Sequence, residues 1–115
     1  MELELKRGGR TARVETLGGE LVSDRDERGL EYIWGGDPAY WPGRNPLLFP
    51  IVGMLKEGKI RFDGREYAME RHGFARRREF TPAARGEDWV RLELRESAET
   101  LALYPYPFRL AVEQR

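Results

Sequence analysis

From Trp89 to Arg95 the side chains alternate strictly, with Val90, Leu92 and Leu94 on one face and Arg91, Glu93 and Arg95 on the other. That period of two is the signature of a half-buried strand. Phe108, Leu110 and Val112 repeat it against Arg109, Ala111 and Glu113. Nowhere does an apolar stripe persist at the 3.6-residue spacing of a helix, so the chain is expected to be all-β, built from short strands closed by Gly, Pro or Asp.

Further strands follow from the same signals. Glu20–Ser23 follows Gly18-Gly19 and Leu30–Trp34 follows Gly29, which suggests two strands joined by the charged turn from Asp24 to Gly29. Ile60 and Phe62 share a face, and Asp63-Gly64 is a tight-turn signal because Gly takes positive φ without penalty; Arg65–Tyr67 then supplies the returning strand. Prolines at 38, 42, 46 and 50 forbid a long helix and a regular central strand, so this stretch reads as an ordered, aromatic-rich loop. The Gly pairs at 8-9, 18-19 and 35-36 read as turns rather than phosphate loops, since they do not lead from a strand into a helix. No repeat or linker divides the 115 residues, which read as one domain or a piece of one.

Composition removes several function classes. The 20 basic residues balance the 20 acidic ones, so no bulk field favours nucleic acid or an anionic membrane. The run Arg76-Arg-Arg78 is short, flanked by Glu79 and expected to lie in a strand beginning near Phe74, which does not make a nucleic-acid site. There is no cysteine, which excludes disulfides and thiolate sites, and the single histidine without clustered carboxylates does not make a metal site. No cofactor motif is present. The charged start Met1–Arg7 lacks the apolar run of a signal peptide, and no window reaches membrane-spanning length; a cytoplasmic location is expected.

Three ordered segments carry a resemblance. They are Glu31-Tyr-Ile-Trp34 through Gly36–Trp41 to Asn45-Pro-Leu-Leu-Phe-Pro-Ile-Val-Gly53, the hairpin Gly58–Gly64 running into Tyr67, and His72-Gly-Phe-Ala-Arg76. Glu99-Thr100 and Tyr104–Leu110 support them downstream. As a set, in this order and spacing along nearly the whole chain, they resemble the N-terminal part of the aldose 1-epimerase (galactose mutarotase-like) family. The resemblance implies a large antiparallel β-sandwich that binds a sugar in a groove on one sheet and interconverts the α and β anomers of free hexoses.

Anomer exchange needs a base for the C1 hydroxyl proton and an acid for the ring oxygen. The resemblance implies a glutamate base and a histidine acid that both lie downstream of the position matching Arg115, so residues 1–115 are expected to form the N-terminal part of the sandwich without that pair. His72 matches another family histidine, one close to the sugar ring oxygen. An imidazole titrates near neutrality, yet one such group cannot serve both ends of a two-proton reaction. Where the family carries a sugar-binding Arg this sequence has Met54; Arg44 and Arg76 are the candidates nearby, since a guanidinium donates two parallel hydrogen bonds to vicinal hydroxyls or to phosphate. Asn45 joins them as a polar contact, and Trp34, Tyr40, Trp41 and Phe74 offer ring faces for a sugar, with core packing the expected role of Trp34 and Phe74. The expected ligand is therefore a hexose or a hexose phosphate, with little or no turnover by this chain alone; a structural β-domain is the alternative. Strand edges lacking neighbours are expected to cause self-association or to take a C-terminal partner chain.

Overall fold

The computed structural model describes residues 1–115 and is dominated by antiparallel strands. Strands β1 (Glu2–Arg7), β2 (Arg10–Glu15) and β3 (Glu20–Arg25) form one three-stranded meander; β4 (Lys59–Phe62) and β5 (Arg65–Ala68) form a hairpin; β6 (Thr81–Arg85), β7 (Val90–Arg95) and β8 (Arg109–Gln114) form a second meander. Each strand pairs only with its neighbour in sequence.

The two meanders face each other across a single core. Leu3 and Leu5 of β1 and Val14 of β2 meet Val90, Leu92 and Leu94 of β7, with Met69, Phe74, Ala75 and Phe80 from the connecting loops completing it. The burial of alternate residues along β7 is the pattern its sequence dictates. Edge ties hold the sheets in place: the Lys6 amide donates to the Glu87 carbonyl at 2.9 Å, and Arg7 pairs with Asp88. Phe49, Phe62, Tyr104 and Phe108 extend the core towards the hairpin, their ring centroids 5.2–6.1 Å apart where they touch.

The structure corrects three expectations. Leu30–Trp34 is not a strand: Asp26 folds the chain back through its carboxylate, accepting from the amides of Arg28 and Leu30, and only Glu31 makes a bridge to β3. Side-chain-to-backbone bonds of this kind compete with strand ladders. Trp34 accordingly stays 45% exposed instead of entering the core. Arg76–Arg78 is not strand either, because Ala75–Arg77 makes one 3₁₀ turn. A helix, α1 (Ala98–Leu103), lies between β7 and β8, closed by a capping box in which Ser97 Oγ accepts from the Thr100 amide and the Ser97 amide donates to Thr100 Oγ1.

Glu31 holds the 26–33 loop onto β3. Burial opposes its charge, but hydrogen bonds from Ser23 Oγ, the amides of Asp24 and Ile33, and Arg25 prevail and hold the carboxyl down at about 2. A depressed folded-state pKa gives stability that is complete above the ordinary carboxylate range and is lost as pH falls from there towards 2. Glu31→Gln should cost about 2 kcal/mol at neutral pH, discounted for partial exposure, and flatten the loss of stability on acidification. Urea melts at neutral pH and near pH 3 measure both effects.

Candidate functional site

His72 sits where the chain leaves β5 and reverses. It adopts a left-handed backbone (φ 64°), unusual for a residue with a Cβ and followed at once by Gly73 in the same region (φ 70°). Two bonds to one residue hold it there: the His72 amide donates to the Gly53 carbonyl, and the Gly53 amide donates to His72 Nδ1, both at 2.8 Å. Because Nδ1 accepts, the proton of the neutral ring resides on Nε2, which has no protein partner. The half-buried imidazole thus presents one free N–H donor.

The next residues lock the Asn45–Gly53 loop against this turn. The Phe49 carbonyl accepts from the amides of Phe74 (2.9 Å) and Ala75 (3.2 Å), and a Cβ on Gly73 would stand 2.2 Å from that same oxygen. Only glycine permits so close an approach. Phe74 itself is 5% exposed, its ring packed on Phe49 and Phe108 with the Arg78 guanidinium 6.0 Å from its centroid, so its face is spent on the core.

The other end of the loop is anchored at the turn before β3. One Glu20 carboxylate oxygen accepts from the amides of both Arg44 (3.0 Å) and Asn45. Two residues earlier, the Gly18 amide donates to the Arg78 carbonyl at 2.8 Å, and a Cβ on Gly18 would stand 2.9 Å from the Arg76 carbonyl. The Gly18–Glu20 turn therefore brings Arg44, Asn45 and Arg76 to one junction, and the loop running from Asn45 reaches His72 through Gly53. Arg44 is exposed and donates to the Gly35 carbonyl; Arg76 donates to the Arg71 carbonyl while its buried Nε has no partner. Neither makes an ion pair with a carboxylate, unlike most arginines of the chain.

Trp41 stands apart from this junction. It is 50% exposed, its carbonyl accepts from Trp34 Nε1 at 2.9 Å, and Tyr40 meets the Trp34 ring edge-on. None of the four principal concavities is lined by Trp41, Arg44, Asn45, His72 or Arg76. Sequence reasoning missed Gly53 and Glu20 as the residues that hold the candidates in place; the Gly18-Gly19-Glu20 turn signal was the available clue to the second.

The family model for aldose 1-epimerase matches residues 1–115. The chain belongs to the aldose 1-epimerase family. Among curated relatives, the plasmid form of protein LacX from Lactococcus lactis subsp. lactis is 41% identical over 117 residues, covering 97% of this chain and 39% of the relative. A galactose mutarotase related enzyme from Lactobacillus acidophilus superposes with a TM-score of 0.96 at 28% identity over 98% of this chain and 38% of that one. A galactose mutarotase-like protein from Lactobacillus casei gives 0.94 at 30% identity, over 98% and 39%. This aldose 1-epimerase family chain thus spans about 39% of the length of the curated relatives it matches. Its strands, sheets and connecting loops have the galactose mutarotase-like arrangement, with no helix long and apolar enough to cross a membrane.

Proposed function

We propose that this chain binds a hexose through the His72 junction and supplies a sugar contact, not the proton-transfer pair, for anomer exchange. The observation that carries this reading is the double clamp of Gly53 on His72, which fixes the tautomer and leaves Nε2–H free to donate to a sugar oxygen. Opening the ring needs a proton removed from the C1 hydroxyl and another delivered to the ring oxygen. One fixed donor meets one of these needs at most, and no second titratable group pairs with the imidazole.

Calorimetry against D-galactose and D-glucose tests binding. Saturable heat is expected, weakened about tenfold, or about 1.4 kcal/mol, in His72→Ala. Polarimetry on freshly dissolved α-D-galactose should give the buffer rate for the same preparation. A rate above the blank defeats the non-catalytic reading, and an absence of saturable heat with either sugar defeats the binding reading. The unpaired guanidinium groups of Arg44 and Arg76 favour a second reading, a hexose phosphate, which predicts tighter binding of hexose 6-phosphate than of the free hexose.

A further inference from the structure

The bond that the Gly53 amide donates to His72 Nδ1 at 2.8 Å lasts only while that nitrogen keeps its lone pair. A proton on Nδ1 would set two donors face to face and leave the Gly53 amide without its partner. The companion bond, from the His72 amide to the Gly53 carbonyl, is indifferent to the state of the ring. Half of the clamp is thus conditional on a side chain of the type that titrates near neutrality.

The segments around the ring do not compensate an imidazolium. Residues 45–55, which pack against it, contain no charged side chain, and Lys56 and Glu57 follow only in the next 3₁₀ turn. On its own segment Glu70 is paired with Arg77 at 2.7 Å, Arg71 rests its guanidinium on Met54 Sδ at 3.9 Å, and Arg76 donates to the Arg71 carbonyl at 3.1 Å. None of these makes an ion pair with the imidazole. Flipping the ring does not restore the bond either, since it turns a carbon towards the amide.

We propose that His72 is a proton-operated latch: as the neutral ring it holds the 45–53 loop on the Gly73 turn, and on protonation it lets the Gly53 end go. Stability from the latch is complete above the ordinary imidazole range, about pH 6.5, and is lost as pH falls below it, because the open form takes up the proton. The left-handed backbone at His72 (φ 64°) favours release, since a residue with a Cβ gains by leaving that region. The Phe49 carbonyl keeps its bonds from the Phe74 and Ala75 amides, so release concerns the Gly53 end of the loop.

Backbone amide exchange of the 115-residue chain, expressed as protection over the intrinsic rate, tests this at about pH 7.5 and about pH 5. Gly53 should lose protection at least about tenfold on acidification, while the Phe80 amide, bonded to the Thr16 carbonyl in the core, keeps its own. His72→Asn separates the latch from every other titration. Asn tolerates the left-handed region, and its Oδ1 hangs from Cγ as Nδ1 does and accepts at any pH, so Gly53 protection should change there by less than about twofold. Because His72 is the single histidine, its ring signals in NMR are unambiguous, and in the wild type their titration midpoint should match that of the Gly53 amide signal, whether or not the variant folds. The latch is overturned by Gly53 protection that is unchanged in the wild type, that falls no further than that of Phe80, that falls equally in His72→Asn, or whose midpoint differs from that of the ring. Release also unsteadies Nε2–H, so D-galactose affinity should fall over the same interval; this last consequence alone rests on the reading of His72 as the sugar contact. Release without a change in affinity would support the latch and defeat that reading.

Discussion

Gly73→Ala should take apart the junction around His72 and abolish hexose binding. The backbone there has φ 70°, and the new Cβ would stand 2.2 Å from the Phe49 oxygen, 2.5 Å from its carbonyl carbon and 2.6 Å from Pro50 Cδ. These are largely backbone atoms, so no rotamer change relieves the overlap. The left-handed conformation alone costs about 1–2 kcal/mol for a non-glycine residue. Displacing Phe49 also endangers the two amide bonds that its carbonyl accepts, for a total of about 3–5 kcal/mol. Gly64→Ala is the matched control: its φ is 77°, but its Cβ meets nothing within 4 Å, so only the conformational cost remains. Denaturant melts and calorimetry on the two variants decide the matter. Equal destabilisation by both would mean that the approach at Phe49 is not what shapes the site.

Phe80→Ala should have the largest effect on stability outside that junction, about 3–5 kcal/mol. Its ring is 1% exposed and packs on Gly19, where a Cβ would come within 3.3 Å of it, and its amide donates to the Thr16 carbonyl at 2.9 Å. Truncation leaves a cavity between the turn before β3 and the second meander. Against a whole-domain stability of about 5–15 kcal/mol the loss is large. A lowered urea midpoint with an unchanged slope is the expected result. Trp41→Ala, half-exposed, should shift the midpoint far less.

Strand β7 was legible because its alternation coincides with true burial, and the β4–β5 hairpin because Asp63-Gly64 makes the turn it announces. The same alternation misled at Leu30–Trp34, where apolar residues stand at every second position but Asp26 and Glu31 have captured the backbone amides. Composition does not show which carboxylates face solvent and which grip the chain. The first strand passed unread although Leu3 and Leu5 alternate with Glu2, Glu4 and Lys6, and α1 is too short to show a stripe, its only signal being Ser97 three residues before Thr100. Of the candidate residues singled out in the sequence, His72, Arg44, Asn45 and Arg76 are tied together by one loop and one turn of the fold. The sequence could not show that His72 lies in the left-handed region, nor which ring nitrogen it commits, since both depend on Gly53, nineteen positions away.

Because each ladder joins strands adjacent along the chain, no ladder waits for a distant strand, although the Leu17–Glu79 bridge and the core between the meanders do wait for the second half of the chain. Contacts of small sequence separation carry a low loop-closure cost and form quickly. As the polypeptide leaves the ribosome, the first meander can close before the hairpin has emerged, and the hairpin before the second meander. The ladders can thus form in the order of translation, whereas the core that joins β1 and β2 to β7 closes only once the second meander is present.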